Sequence, residues 1–176
     1  MGQYFKIVNP GKKQYIDASD FGENVKQSGI LCGLHGLAVG QLICSENGQH
    51  PMFGSWAGDP LIAAGDYGIA DQYGIATGSP ENTLRNLYFM AEEEFENISH
   101  KAMAALCEYD ETLLEEMVQK AKKDLDFLYD LSFVVYQVGC KSLEEAIIKE
   151  IGIAWTKELK SAVSYTGKED HLRGRM

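Results

Sequence analysis

Basic residues are scarce in this chain. Its 176 residues include 16 Lys and Arg against 26 Asp and Glu, which gives a formal net charge of −10 at pH 7. A protein that binds nucleic acid unaided usually presents a basic face, and an anionic membrane repels a negative surface in the same way. We therefore expect neither direct nucleic-acid binding nor membrane binding, whereas a basic protein, a divalent cation or a neutral small molecule remains compatible with the charge.

Paired cysteines, long apolar runs and catalytic signatures are also missing. The four cysteines, Cys32, Cys44, Cys107 and Cys140, form no C-x-x-C pair, which argues against a zinc ribbon or a thioredoxin motif and fits reduced thiols. Neither a membrane span nor a signal-peptide core is present, so the predicted location is the cytoplasm. Because G-x-S-x-G, Walker A, H-E-x-x-H and G-x-G-x-x-G motifs are absent, the sequence favours a non-enzymatic protein and indicates no particular cofactor.

Turn-forming residues are concentrated in the first half of the chain. Fourteen of the 18 Gly and all four Pro lie in residues 1–80. Alternating β-forming residues on either side of Pro10-Gly11 predict a hairpin over residues 4–17, and the apolar run 60–64 predicts a buried strand. Residues 28–44 predict a buried helix that becomes a strand toward its end.

Helix signals dominate the second half. Ser79-Pro80 predicts the start of an amphipathic helix that continues to Ala102. Asp110 predicts the cap of a second helix, and Ser142-Leu-Glu-Glu145 predicts a capping box before a third. Between these helices, Phe133-Val-Val-Tyr136 predicts a strand.

Together these elements predict one α+β domain over residues 1–176. A small, mostly antiparallel sheet from residues 1–80 packs against about three helices from residues 81–166, and residues 167–176 form a flexible tail.

A Gly-rich segment over residues 53–68 is the strongest candidate for a pocket. In one interpretation Trp56 and Tyr67 stack on a planar ligand, Asp59 and Asp66 bind a cation or hydroxyl groups, and His50 joins them. In the other, both Asp side chains accept backbone hydrogen bonds in turns and Trp56 anchors the core.

Metal and nucleophile sites have weaker sequence support. Asp59, Asp66 and Asp71 supply oxygen ligands suited to Mg²⁺ or Ca²⁺, but their spacing matches no EF-hand. Cys32 and His35 are three residues apart in an apolar segment, where a buried, hydrogen-bonded histidine is the more common arrangement than a catalytic pair.

Acidic residues cluster in the middle of the chain. Residues 81–130 contain 13 acidic and 5 basic side chains, and the densest run is Glu92, Glu93, Glu94 and Glu96. On one helix Glu92 and Glu96 would share a face. Such a run is either a solvated helix face or a surface that binds a basic partner by resembling an array of phosphates.

Several segments resemble an uncharacterised family of small bacterial and phage-borne proteins. They are Met-Gly-Gln-Tyr-Phe-Lys-Ile-Val-Asn at 1–9, Lys-Gln-Tyr-Ile at 13–16, Gly-Ser-Trp-Ala-Gly-Asp at 54–59, Gly-Asp-Tyr at 65–67, Asn-Leu-Tyr at 86–88 and Phe-Glu-Asn-Ile-Ser at 95–99. The resemblance covers residues 1–100 and implies that the Trp-Ala-Gly-Asp and Gly-Asp-Tyr loops belong to one site. The family has no assigned activity, and Pro60 stands where it often has Arg.

Two functions follow as hypotheses. The first is a non-enzymatic acidic binding protein, of the kind that phages encode, which engages or inhibits a basic host protein, for instance one that binds nucleic acid. The alternative is a small-molecule-binding protein or enzyme whose pocket is formed by residues 54–67 and His50. The charge asymmetry favours the first.

Overall fold

A computed structural model describes residues 3–44, 49–67 and 86–153. The chain divides into two compact units, Met1–Ala102 and Met103–Met176. The predicted α+β class is confirmed, with the sheet in the N-terminal part of the chain and most of the helices in the C-terminal part. That both units form a single domain stays a prediction.

The sheet of the first unit has four strands in the order β3-β1-β2-β4. These are β1 (Phe5–Asn9), β2 (Gln14–Ile16), β3 (Ile62–Gly65) and β4 (Glu96–Asn97). β1 pairs antiparallel with β2 and β3, whereas β4 adds parallel to β2. The predicted hairpin and the predicted strand near residues 60–64 are therefore confirmed.

The described residues form six α-helices and two shorter helical segments. The α-helices are α1 (Gly33–Ile43), α2 (Leu87–Glu94), α3 (Ser99–Tyr109), α4 (Glu111–Ala121), α5 (Leu125–Phe133) and α6 (Lys141–Glu150). A 3-10 turn covers Ala18–Phe21, and a π-helical segment, Val134–Val138, follows α5 directly.

Helix α2 covers one face of the sheet. Its buried residues Leu87, Met90 and Ala91 form a cluster with sheet residues that include Val8 and Tyr15. Burial of each large apolar side chain contributes about 1.5–3 kcal/mol. The amide side chain of Asn86 caps the helix by accepting a hydrogen bond from the backbone N–H of Tyr88.

In the second unit, α4 packs against both α5 and α6. The predicted cap is confirmed, because Asp110 Oδ1 accepts a hydrogen bond from Leu113 N at 3.0 Å. Asp124 caps α5 in the same way through Phe127 N, at 3.1 Å. These carboxylates satisfy backbone N–H groups that a helix start leaves unpaired.

The predicted continuous helix through residue 102 is wrong, because the chain breaks between α2 and α3. Phe95 is extended (φ −107°, ψ 157°), and Glu96 N donates to the carbonyl oxygen of Lys13 at 2.9 Å. Asn97 Oδ1 then accepts a hydrogen bond from Ser99 N at 2.9 Å and starts α3. Pairing with the hairpin replaces the helical hydrogen bonds that this segment would otherwise make.

Three further boundaries differ from the predictions. Residues 41–43 remain helical, and residues 133–136 continue α5 into the π-helical segment instead of forming a strand. That segment ends at Gly139, which has a left-handed backbone (φ 86°). Cys140 is the N-cap of α6 and its side chain makes no capping hydrogen bond, so Ser142 lies within the first turn and forms no capping box.

Some predictions fall outside the described residues. These are Asp71, the helix start at Ser79-Pro80, and the tail 167–176. Among the residues that are described, no helix is long and apolar enough to cross a membrane.

Candidate functional site

The acidic run is divided between two elements. Glu92, Glu93 and Glu94 lie on α2, whereas Glu96 lies on β4. The prediction that Glu92 and Glu96 share one helix face is therefore wrong, because the helix ends between them. All four residues are exposed, but Glu92 and Glu96 are engaged by cationic side chains of the first unit.

Glu92 belongs to a charged cluster centred on a buried lysine. Lys6 Nζ lies 2.5 Å from Asp17 Oδ2 and 2.8 Å from Glu92 Oε1. The side chains of Lys6 and Asp17 are 3% and 10% exposed, whereas that of Glu92 is 42% exposed. One cation thus connects a buried carboxylate to a half-exposed one on α2.

Two tyrosines complete the surroundings of Lys6. Its ammonium lies 3.8 Å from the ring centroid of Tyr88 and 5.6 Å from that of Tyr15, within the range of cation–π attraction. Burial alone would lower the pKa of Lys6, but Asp17 and Glu92 outweigh it and raise that pKa above its ordinary value. Burial raises the pKa of Tyr15 to about 12, against the opposing charge of Lys6.

This cluster is suited to holding the fold together and not to catalysis. A lysine that acts as a nucleophile or base needs a lowered pKa, and the pKa of Lys6 is raised. Its ion pairs instead tie the hairpin to α2. The sequence signal for the cluster is that Lys6 occurs in an alternating strand on the same face as Val8, where an apolar residue is the usual choice.

Glu96 is held by polar contacts at the sheet edge. Its carboxylate accepts a hydrogen bond from Gln14 Nε2 at 2.9 Å and forms an ion pair with Lys101. The hydrogen bond from Lys101, followed by that from Gln14, lowers the pKa of Glu96. Glu96 therefore offers no uncompensated charge to a partner, whereas Glu92 shares the single cation of Lys6 with Asp17, so one carboxylate of that cluster is in excess.

Trp56 lies in the core and not in a pocket. Its side chain is fully buried, at 0% exposure, and its Nε1 donates to Gln14 Oε1 at 2.9 Å. Tyr67, by contrast, is 65% exposed. The two rings therefore cannot stack on the same ligand, and the anchoring role that the sequence analysis gave as the second interpretation describes Trp56.

Asp59 and Asp66 are placed at opposite ends of β1. Asp59 Oδ2 accepts from Asn9 Nδ2 at 2.8 Å, and Asp66 Oδ1 accepts from Tyr4 N at 3.1 Å. Tyr4 and Asn9 are five residue steps apart along the extended chain, which corresponds to about 17 Å. The two Asp side chains therefore do not form a joint cation site, and the two loops carrying them do not meet in one pocket.

The two histidines named from the sequence make local or core contacts. His50 Nδ1 accepts from Met52 N at 3.1 Å, and its ring contacts Phe53. His35 is fully buried with its ring edge-on to Phe21. Among the described residues, neither of its ring nitrogens has a partner in hydrogen-bonding geometry, so the core position is confirmed but the hydrogen bond is not.

In the second unit a groove runs between α4 and α6. Its floor is apolar and consists of Leu114, Val118 and Ala146, and its volume is about 290 Å³. The polar residues along its rim are Glu111, Glu115, Gln119, Lys149 and Glu150. Acidic residues thus outnumber the basic one around an apolar surface.

The exposed charges of this groove are negative at Glu111 and Glu115 on α4 and positive at Lys149 on α6. Glu150 accepts hydrogen bonds from Lys122 Nζ at 3.0 Å and Gln119 Nε2 at 3.2 Å, which joins α6 to α4. Glu111 and Glu115 are exposed and form no ion pair with a described residue. Their charge is therefore available to a molecule in the groove.

A second depression of about 210 Å³ shares Glu150 with the groove. Leu125 and Leu128 line it together with Ile151, and Leu125 is well exposed. The groove lies between α4 and α6, and the depression continues from it to α5, between that helix and the C-terminal ends of α4 and α6. Sequence analysis missed both, because a groove between helices requires their packing and not only their separate periodicities.

Neither a metal centre nor a known relative helps to define the function. Among the described residues, no group of three or more His, Cys, Asp and Glu side chains could hold a metal ion. No family model, curated protein or solved structure matches the chain. Function must therefore be inferred from the geometry of these residues themselves.

Proposed function

We propose that the chain is a non-enzymatic binding protein that engages a basic polypeptide in the groove between α4 and α6. The observation that supports this most is the position of Glu111 and Glu115, whose charges lie beside an apolar floor. An interface of this composition complements a segment that carries Lys or Arg beside apolar side chains.

The dimensions of the groove favour a polypeptide over a cofactor. A volume of about 290 Å³ is at the lower end of the range for pockets that bind small molecules. It is large enough for one or two side chains, and the neighbouring depression provides a second position along the helices. Anchors of a helical segment at successive turns would suit two such positions.

This proposal keeps the predicted class of partner but moves the binding surface. The α2 surface has weaker support because Glu96 lies on β4 and pairs with Lys101, and because Glu92 already contacts Lys6. Binding in the α4–α6 groove would cover the basic surface of the partner. If that partner is a nucleic-acid-binding protein, the result is the inhibition expected from the sequence.

The alternative of a small-molecule pocket around residues 54–67 gains no support from the described residues. The ring of Trp56 is buried, and Asp59 and Asp66 are held at opposite ends of β1.

The test compares two adjacent substitutions on α4. Glu115 lines the groove, whereas Glu116 is exposed but does not line it. The probe is a fluorescent synthetic amphipathic peptide with Lys on one side and Leu on the other, and affinity is measured by anisotropy. We expect Glu115→Lys to weaken binding about tenfold, which equals about 1.4 kcal/mol, while Glu116→Lys changes it little.

Two controls make the comparison decisive. An analogue with Glu in place of each Lys should not bind, and binding of the basic peptide should weaken with added salt. An equal loss of binding affinity in Glu115→Lys and Glu116→Lys would show that the peptide is attracted by net charge and not by the groove. If only Glu93→Lys weakened peptide binding, the binding site would lie on α2 and not in the groove.

A further inference from the structure

One carboxylate lies at the boundary between the α4–α6 groove and the neighbouring depression. Glu150 lines both of them, and no other described residue does. It is the last residue of α6, and its side chain is 33% exposed. A molecule that occupies the groove and the depression together must therefore pass over this carboxylate.

The contacts of Glu150 leave part of its carboxylate unused. Lys122 Nζ, at 3.0 Å, and Gln119 Nε2, at 3.2 Å, both donate to Oε2, and Oε1 takes part in neither contact. A carboxylate accepts about four hydrogen bonds through its two oxygens. Glu150 can therefore keep its contacts to α4 and still accept a hydrogen bond from a bound molecule.

The apolar surfaces on either side of Glu150 have the spacing of a helix. Leu114 lines the groove and Ala121 lines the depression, seven positions apart on α4, a separation of about 10 Å. In a helical ligand, residues i and i+7 lie on one face at the same separation, and residues i+3 and i+4 lie between them. Two apolar anchors at i and i+7 would therefore place the residue between them opposite Glu150.

The charges around the two sites differ. Besides Glu150 and Lys149, Glu111 and Glu115 line the groove, whereas the only charged residues that line the depression are Lys122 and Glu150. A cation placed in the depression meets the ammonium of Lys122, whereas an apolar side chain there meets Leu125, which is 61% exposed. The depression thus favours an apolar side chain, and the boundary at Glu150 favours a cation.

We propose that Glu150 sets the register of the bound segment by accepting a hydrogen bond from a Lys or Arg that lies between two apolar anchors. This inference rests on the proposed function, because it assumes that a basic polypeptide occupies the groove. The partner then carries apolar residues at i and i+7 and a basic residue at i+3 or i+4. The ion pair of Glu150 with Lys122 does not prevent this, because partly exposed pairs of this kind are weak.

The test uses three helical peptides that differ only at the residue between the anchors. Each has Leu at i and i+7. The first has Arg at i+3, the second has citrulline there, which has nearly the same shape without the charge, and the third carries its Arg at i+5, on the opposite side of the helix. Affinity is measured by fluorescence anisotropy.

We expect Glu150→Gln to weaken binding of the first peptide about three- to fivefold, the effect of one partly exposed charge pair. Binding of the citrulline peptide and of the i+5 peptide should change much less. Glu145→Gln is the matched control, because Glu145 is an exposed residue of α6 that lines neither the groove nor the depression. It should affect the three peptides alike.

Substitution of Lys122 separates recognition by Glu150 from a merely structural role of its ion pair. Lys122→Met removes the same ion pair but leaves the Glu150 carboxylate free, so it should strengthen binding of the first peptide. Lys123→Met removes an equal charge at an exposed position that lines neither site, and it should strengthen binding less. If the ion pair only held α4 and α6 together, Glu150→Gln and Lys122→Met would both weaken binding.

The outcomes distinguish this inference from the proposed function. If the peptides bind with the expected dependence on Glu115 but Glu150→Gln weakens all three equally, the role of Glu150 is wrong and the proposed function stands. If Glu115→Lys does not weaken binding of any peptide, the proposed function fails and this inference fails with it. Weaker binding in both Glu150→Gln and Lys122→Met would also overturn the role of Glu150. Urea unfolding of each variant establishes that the fold is retained.

Discussion

Lys6 Nζ and Asp17 Oδ2 lie 2.5 Å apart in the interior of the first unit. Asp17 is fully engaged there, because its other carboxylate oxygen accepts hydrogen bonds from the backbone and hydroxyl groups of Ser19. Its own N–H donates to Ser99 Oγ at 2.9 Å. A buried ion pair whose hydrogen-bonding groups are satisfied fixes the relative position of the elements that supply it.

Removal of the Lys6 charge should destabilise the protein strongly. Lys6→Met leaves the buried Asp17 carboxylate without its counter-charge, and breaking one partner of a buried pair costs about 3–5 kcal/mol. The free energy of unfolding in urea measures this effect.

Lys12→Met provides the matched control. Lys12 and Asp59 form an ion pair at 3.5 Å whose side chains are 44% and 29% exposed, and solvent-accessible pairs contribute about 0–1 kcal/mol. If Lys6→Met and Lys12→Met lowered the free energy of unfolding by similar amounts, the structural role assigned to the Lys6 cluster would be contradicted.

Acidification should destabilise the fold through buried histidine. Burial lowers the pKa of His35 below the ordinary histidine value of about 6.5, although Glu23 and nearby backbone carbonyl groups oppose the shift. The unfolded chain therefore binds more protons, and stability is lost as the pH falls from about 6.5 toward the lower pKa of the folded state. Urea unfolding at a series of pH values measures the slope.

His100 contributes in the same direction, since burial lowers its pKa as well, against the charge of Asp20. We expect His35→Gln and His100→Gln each to flatten the pH dependence above about pH 5, where carboxylates are still largely ionised. If neither substitution changes the slope of the free energy of unfolding against pH, other titratable groups cause the pH dependence.

Two glycines of α1 should respond in opposite ways to alanine. A Cβ at Gly36 would lie 2.2 Å from the carbonyl oxygen of Leu31, whereas a Cβ at Gly40 would have no neighbour within 4 Å. Gly40→Ala should stabilise the protein by about 0.5–1 kcal/mol because alanine is the better helix former. Gly36→Ala should destabilise it, and thermal unfolding of both variants tests the prediction.

Local sequence signals were sufficient to predict several elements of the fold. Pro10-Gly11 between alternating residues identified the hairpin, and Asp110 identified the start of α4, because the interactions responsible lie within a few residues of one another. The core role of Trp56 was one of two interpretations, and local sequence could not select it. That selection depends on the hydrogen bond to Gln14, which is 42 residues away.

The remaining features depend on contacts that no local pattern contains. The break between α2 and α3 requires the carbonyl of Lys13, and the ion pair that engages Glu92 requires Lys6, 86 residues earlier. The strand predicted at residues 133–136 failed because a short apolar run fits a buried helix as well as a buried strand.

Amide chemical-shift mapping of the labelled protein during titration with the basic amphipathic peptide tests the central claim most directly. The groove predicts that the largest shifts occur at Glu111, Glu115, Val118 and Ala146, and that they decrease when the ionic strength rises from about 0.01 M to about 1 M, which shortens the screening length from about 30 Å to about 3 Å. Shifts confined to α2, or spread evenly over acidic residues of both units, would contradict it.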